Sequence, residues 1–223
     1  VALVTQPHAA PAAARNTGAR QARGRFLAFT DDDCTPAPDW LRTLEARFAT
    51  APDHAIGGPT LNGVPDNVYS ATSQLILDTM FGHYNSIPSK ARFLASNNLA
   101  VPAGGFHAVH GFDATAFPFA AAEDRDFCER WLQRGYGMVY APEVQVVHAH
   151  RLTLASFCRQ HFVRGRGAFQ LRRARARRDW GGLEVGDEVG PRMFRCALRS
   201  LAQADRRRTL ERGRRGRLWR VRA

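Results

Sequence analysis

Arg25–Leu41, RFLAFTDDDCTPAPDWL, is the stretch that decides the fold class. Its first part, Arg25–Thr30, is an apolar run of strand length. The run ends directly on Asp31, Asp32 and Asp33. Pro36 and Pro38 keep a helix from starting at once, and Asp39 can cap the helix that follows. In that helix Trp40, Leu44 and Phe48 recur one turn apart, an apolar stripe that faces a core. A strand, an acidic turn at its carboxyl end and an amphipathic helix are the repeating parts of an α/β layer fold. In such sheets, ligands bind in the crevice beyond the carboxyl ends of the strands.

The flanks continue the alternation. Upstream, Val1–Thr5 is predicted as a short buried strand, and Pro11 opens an Ala-rich helix that Gly24 ends. Downstream, Ala55–Pro59 reads as a strand or turn in which Gly57 and Gly58 allow close backbone approach. Val68–Tyr84 reads as a helix, Phe93–Val101 as a strand interrupted by polar residues, and Gly104–His110 as a short helix. Glu123–Arg134 is a stronger helix, with Phe127 and Trp131 one turn apart and Gly135 as its stop. Val139–Tyr140 and Val144–His148 are short strands on either side of Pro142. Thr153 starts a long, Arg-studded helix reaching about Arg178. Gly181–Pro191 reads as a linker and Phe194–Arg212 as a second basic helix. The later strands are short and irregular, so the expectation is a mixed central sheet flanked by helices, with a basic helical C-terminal extension.

The chain has 223 residues, of which 44% are apolar and 23% charged. That is enough for one domain with a real core and excludes wholesale disorder. No apolar run approaches the ~18 residues of a spanning helix. No signal-peptide pattern follows Val1 and no Met opens the chain, which reads as a fragment or a processed product. Cys34, Cys128, Cys158 and Cys196 are widely spaced, which argues against a disulfide framework or a Cys-paired zinc site; reduced thiols in the cytoplasm are the expectation. The net charge of +12 is uneven: residues 1–150 hold eleven Lys/Arg against fourteen Asp/Glu, and residues 151–223 hold twenty-one Arg against six acids. The basic segment suits either plain solvation or a nucleic acid, an anionic lipid or a phosphorylated ligand.

Two acidic clusters carry the candidate chemistry. Adjacent carboxylates at an apolar sheet end repel each other and are costly to ionise, and a divalent cation shared with phosphate oxygens removes that cost. Oxygen ligands favour Mg2+ or Mn2+. Asp31 and Asp33 alternate in an extended segment, so their side chains can split between two tasks; the competing reading is an acidic turn with Asp33 as a cap. The second cluster, Glu123-Asp124-Arg125-Asp126, opens a helix, where negative charge is favoured for purely structural reasons. Glu123 or Asp124 projecting into the same crevice can instead take a proton from a hydroxyl. Arg164 and Arg166, in RGRG, suit bidentate contact with phosphate.

The order ARNTGARQARGRFLAFTDDD, TPAPDWL, SNNLAV, EDRDFCERWLQRGY resembles the family 2 glycosyltransferases, which have the GT-A fold, over roughly residues 1–167. The resemblance implies that Asp31 and Asp33, with Asp32 between them, are the DxD motif that binds a nucleotide-sugar diphosphate through a divalent metal. It implies that Arg15, Asn16, Asn97, Asn98 and Arg164 bind the donor, that Asp124 beside Glu123 is the catalytic base, and that His148 completes the metal shell or touches the diphosphate. Family members begin with a strand–helix–strand–helix unit for the nucleotide base and ribose. By the resemblance this chain starts after that unit, N-terminally truncated, so the fragment alone is expected to be inactive unless the unit lies upstream. The processive Q-x-x-R-W motif has no match; Gln160–Gly165 has one residue too many and no Trp. That argues for transfer of a single sugar to a hydroxyl acceptor, glycan, lipid or another cell-envelope precursor. The expected organisation is a partial catalytic domain at 1–167 and a basic extension at 168–223.

Two other classes compete. A nucleotidyltransferase on a related sheet also uses aspartates, metal and nucleotide, but wants a Gly-rich basic loop early in the chain. A nucleic-acid binder would use the basic segment, which lacks a groove-reading motif and has few aromatic residues in its most basic stretches, so no specific nucleic acid is expected. The basic helices at 153–178 and 194–212 suit peripheral contact with anionic membrane at the cytoplasmic face.

Overall fold

The computed structural model describes residues 2–7, 9–118 and 121–178. In chain order the elements are α1 (Pro11–Gln21), β1 (Phe26–Phe29), β2 (Cys34–Pro36), α2 (Trp40–Thr50), β3 (Ala55–Gly57), β4 (Thr60–Asn62) and α3 (Val68–Tyr84). There follow β5 (Leu99–Pro102), α4 (Ala103–Ala108), α5 (Glu123–Gln133), β6 (Met138–Tyr140), β7 (Val146–His148) and α6 (Leu154–Arg177).

The strands form two sheets, ordered β1-β5-β3-β6 and β2-β7-β4. In the first, β5 runs antiparallel to both neighbours, while β6 runs parallel to β3. In the second, β7 is antiparallel to β2 and parallel to β4. The mixed sheet expected from the short later strands is present.

Alternation across the pleat divides the core into two layers. Leu99 and Val101 of β5 and Ala55 of β3 face α4 and α5, where Phe106, Phe127 and Trp131 are buried. Ala100 and Ile56 face the other way, onto the Trp40, Leu44 and Phe48 stripe of α2. Full burial of an aromatic such as Phe127 stabilises the fold by about 1.5–3 kcal/mol. Helix α5 ends at Gln133, and Gly135, just past its Arg134 C-cap, has a φ of +81° that suits the stop expected there. Gly58 does permit close approach: a Cβ there would lie 2.0 Å from the Val144 carbonyl oxygen, so only Gly lets β3 turn into β4 beneath β7.

Several local expectations differ from the structure. Ala2–Thr5 form no strand, and Leu3 is 90% exposed, because no strand among the described residues lies alongside them. The segment before β5 is a 3-10 turn at Ser96–Asn98 rather than an extended strand, because Asn98 turns its side chain into the core. Cys34–Pro36 is a strand that the two prolines hid, since Pro36 sits at its last position, where a missing N–H is tolerated. Asp39 stands at the start of α2 without a side-chain cap bond. The short helix expected at Gly104–His110 is α4, which starts one residue earlier and ends at Ala108.

Helix α6 begins with a reciprocal cap between Thr153 and Ser156 and runs unbroken through residue 167 to Arg177. Its far end is fastened to α5 and its approach by Arg175–Glu129, Arg178–Asp126 and Arg178–Asp113 pairs. The linker at 181–191 and the helix at 194–212 lie outside the described residues.

Candidate active site

One cleft of about 570 Å³ lies where β1 and β2, the start of α5, and helices α1, α3 and α6 meet. Asp31, Asp33, Glu123 and Asp124 all line it, so the structure brings the two acidic clusters together. Asp31 and Asp33 are there because β1 ends at Phe29 and the chain turns into β2. Glu123 and Asp124 are there because α5 starts at the cleft wall. The residue before α5, Ala122, has φ 70°, in the left-handed region. That conformation costs an Ala about 1–2 kcal/mol and directs the first turn of α5 toward α1.

Arg15 of α1 joins the clusters. One terminal nitrogen of its guanidinium donates to Asp31 Oδ1 at 2.6 Å and the other to Glu123 Oε1 at 3.1 Å. Glu123 is buried, and burial together with the neighbouring Asp124 charge pushes its carboxyl up to about 7 despite Arg15. Burial also raises the Asp124 carboxyl, against the backbone N–H of Arg125, which donates to Asp124 Oδ1 at 2.8 Å. The two carboxyls are neighbours and titrate as a pair.

Asp33 faces a different set. His148 Nε2 lies 2.9 Å from Asp33 Oδ2, His150 Nδ1 lies 3.8 Å from the same oxygen, and Cys34 Sγ donates to Asp33 Oδ1 at 3.7 Å. Partial burial opposes ionisation of Asp33, but the two histidines hold its carboxyl below the ordinary value. Burial and the Asp33 charge push the Cys34 thiol up to about 11. Asp33, Cys34 and His148 each offer one donor atom, and these lie within 4.8 Å of one another. The grouping follows from register: Cys34 and His148 are direct partners in the antiparallel β2–β7 ladder, so both side chains leave the same face. A carboxylate, an imidazole and a thiol converging at this spacing fit a divalent cation.

The opposite wall comes from two helices. Ile76, Leu77, Met80 and Tyr84 recur on one face of α3, and His161, Arg164, Ala168 and Leu171 on one face of α6. Gly167 lets α6 approach, since a Cβ there would lie 2.7 Å from that of Ala121 beside the α5 start. Arg164 Nη1 is buried without a hydrogen-bond partner among the described residues. Burial weakens that guanidinium's hold on its proton, and the Asp124 charge opposes the effect. His161, half-buried and beside Arg164, is pushed down to about 4 by burial and the Arg164 charge and is neutral at physiological pH.

Of the residues expected to bind donor or metal, Arg15, Asp31, Asp33, Asn97, His148 and Arg164 line the cleft, as do the expected catalytic residues Glu123 and Asp124. Asn97 accepts from Thr60 at 3.0 Å and donates toward Cys34 Sγ at 3.5 Å. Asp31 points to Arg15 rather than to the Asp33–His148 pair. Three side chains lie elsewhere. Asp32 is exposed and is not among the cleft-lining residues. Asn16 exchanges hydrogen bonds with the backbone N–H and carbonyl of Phe112, pinning α1 to the loop after α4. Asn98 is buried, accepts from Trp40 Nε1 at 2.9 Å and donates to the Val144 and Pro59 carbonyls at 2.7 and 3.1 Å. The polar groups of Asn16 and Asn98 are thus engaged inside the protein rather than at the cleft. Sequence reading missed Cys34 and His150 as partners of Asp33; the signal was the pairing of the strand after DDD with the VVH strand.

Comparison with known proteins extends the picture. A family model for glycosyl transferase family 2 matches residues 1–110. Pre-mycofactocin glycosyltransferases from two strains of Mycobacterium tuberculosis are each 30% identical over 175 residues, which are 75% of this chain and 36% of theirs. The chain thus spans about a third of the length of these curated relatives. Among solved structures, the mannosyltransferase PcManGT from Pyrobaculum calidifontis, in complex with GDP-Man and Mn2+, aligns with a TM-score of 0.55 at 18% identity, covering 94% of this chain and 60% of that one. GalNAc-T7 with UDP, GalNAc and Mn2+ aligns with a TM-score of 0.50 at 17% identity, covering 66% of this chain and 32% of that one. At such identities the alignments speak to the fold.

Proposed function

Because the chain belongs to glycosyl transferase family 2 and has the GT-A fold, we propose that it transfers a single sugar from a nucleotide-sugar donor to a hydroxyl acceptor, with a divalent metal and inversion at the anomeric carbon. The observation that carries this reading is the shared cleft in which Asp31, Asp33 and Asp124 meet an Arg164 guanidinium whose buried Nη1 has no hydrogen-bond partner among the described residues. A buried N–H donor without an acceptor is costly, and an anionic ligand in the cleft relieves that cost. The curated relatives are named as glycosyltransferases, and both solved neighbours hold a nucleotide-containing ligand with Mn2+, which supports the same reading.

The chemistry follows from the residues. A bound cation would be held by Asp33 and His148 with Cys34 adjacent, and would supply charge neutralisation to the leaving diphosphate. Arg164 donates to diphosphate oxygens from the α6 side. Arg15 holds Asp31 at the cleft edge, where its free oxygen accepts from a donor hydroxyl. Asp124 accepts the proton of the acceptor hydroxyl as that oxygen bonds to the anomeric carbon and the bond to the diphosphate breaks on the opposite face. Burial raises the Asp124 carboxyl, against the opposing pull of Arg15 and Arg125, which makes it a better base. The aliphatic wall of Ile76, Leu77 and Met80 offers no polar partner to a glycan, which supports an acceptor hydroxyl carried on an apolar body.

The test is Asp124→Asn in the full-length protein. Turnover of a nucleotide sugar with Mn2+ should fall about 10²–10⁴-fold, while donor binding persists. Normal turnover removes Asp124 as the base, and release of pyrophosphate instead of nucleoside diphosphate refutes sugar transfer in favour of nucleotidyl transfer.

Peripheral membrane contact is a second proposal, favoured by one surface. No helix among the described residues is long and apolar enough to cross a membrane. On α6, Phe162 and Phe169 are 69% and 60% exposed, two turns apart, with Arg159, Arg166 and Arg173 alongside. Apolar side chains flanked by cations suit the surface of an anionic bilayer.

A further inference from the structure

We propose that Cys34 is a thiolate ligand of the cation held at Asp33 and His148, and that it ranks Zn2+ and Co2+ above Mn2+, and Mn2+ above Mg2+, in affinity for this chain. The inference rests on the metal-dependent reading above and deepens it. A site of carboxylate oxygens alone favours hard ions, and oxygen ligands were all that the DDD segment suggested. The fold adds a sulfur and a nitrogen to it. Thiolate and imidazole donors shift preference toward zinc and along the order in which cobalt outranks manganese.

The geometry supports direct ligation. Around a tetrahedral ion with metal–sulfur bonds of about 2.3 Å and metal–nitrogen or –oxygen bonds of about 2.0–2.1 Å, neighbouring N and O donors sit about 3.3 Å apart, and S and O donors about 3.6 Å apart. Here the His148 nitrogen is 2.9 Å from one Asp33 oxygen, and the Cys34 sulfur is 3.7 Å from the other. Small side-chain rotations close the difference. His150 Nδ1 lies 3.8 Å from the same Asp33 oxygen and borders the three donors.

The surroundings of the sulfur also match a ligand. Cys34 borders the apolar cluster of Trp40, Leu44 and Phe48, but its Sγ faces Asp33 and receives the Asn97 amide at 3.5 Å. Asn97 is itself held by Thr60 at 3.0 Å. A donor hydrogen-bonded to the sulfur, and fixed from behind, is the outer support that metal-bound thiolates use. A bound cation removes the thiol proton outright.

Cobalt(II) tests this in the full-length protein under anaerobic conditions. The expected result is a strong thiolate-to-cobalt charge-transfer band in the near ultraviolet that saturates at one equivalent. The band is lost in Cys34→Ser and kept in Cys158→Ser. Zn2+ displaces the cobalt, and a large excess of Mg2+ does not. Cys34→Ser lowers Zn2+ affinity at least about 10–100-fold and leaves Mg2+ affinity nearly unchanged. Zn2+ also protects Cys34 of the unaltered protein from alkylation, a readout that does not depend on the variant folding. Weak visible cobalt absorption that requires Asp33, without the ultraviolet band, overturns Cys34 ligation and leaves the metal reading intact. A band that persists in Cys34→Ser overturns it as well. No cobalt binding of either kind overturns both readings together.

Discussion

Replacing Glu123 by Gln should free the fold from a pH-dependent penalty. Glu123 is buried beside Asp124, and its carboxyl is raised from an ordinary 4.5 to about 7 even though Arg15 donates to it. The folded chain therefore holds this proton more tightly than the unfolded chain does. Its contribution to stability is full below about pH 4.5 and is lost as pH rises to about 7. The gap between the two values corresponds to about 3 kcal/mol. A protonated Glu and a Gln are nearly isosteric, and both accept from Arg15, so Glu123→Gln and the unaltered protein should have equal stability near pH 4.5. By pH 8 the variant should lead by about 3 kcal/mol. In a protein of this size that is a Tm higher by roughly 6–12 °C. Thermal and urea unfolding of both proteins across pH 4.5–8 provides the measurement. The difference between the two curves isolates this site, because every other titration cancels. Since the proton is shared with Asp124, Asp124→Asn should flatten the same pH interval. Curves that stay parallel throughout would refute the account, as would a gap that widens toward acid.

Other expectations follow from single residues. Arg164→Met should raise stability by about 1–3 kcal/mol, because a buried N–H donor without a hydrogen-bond partner among the described residues is removed, and should weaken nucleotide-sugar binding about 10–100-fold; lost stability with unchanged donor affinity would make Arg164 a packing residue. Asn98→Ala should destabilise by about 3–5 kcal/mol by stranding Trp40 Nε1 and two carbonyls, with metal affinity unchanged by equilibrium dialysis; a loss of metal or donor binding without a loss of stability would restore a role in the cleft. Phe162→Ser with Phe169→Ser should abolish flotation with anionic vesicles while soluble turnover persists; equal flotation of both proteins ends the membrane proposal.

The sequence made the helices and the location of the chemistry legible. The stripes Trp40/Leu44/Phe48 and Phe127/Trp131 repeat at helical spacing, and those residues are buried where expected. DDD after RFLAF announced a cleft because a strand end is a local feature. What was not legible depended on partners. Whether Val1–Thr5 forms a strand depends on a neighbouring strand, which no pattern within five residues reveals. The two asparagines of SNNLAV look alike, yet Asn97 lines the cleft and Asn98 is buried. One step along the turn separates the two environments, and that phase was set by the 3-10 geometry. Cys34 looked like a solitary thiol until the ladder set it opposite His148.

The guanidinium that spans Asp31 and Glu123 has an evolutionary corollary. The two acids stand in different motifs, with no bond between them, but each is balanced by the same cation. Neutralising one frees Arg15 to lean wholly on the other, so the effects of altering both will not sum. In a thermodynamic cycle built from Asp31→Asn and Glu123→Gln, the coupling should vanish once Arg15 is replaced. Descendants of this chain are then expected to change these positions in concert, with drift at one constrained by the state of its distant counterpart.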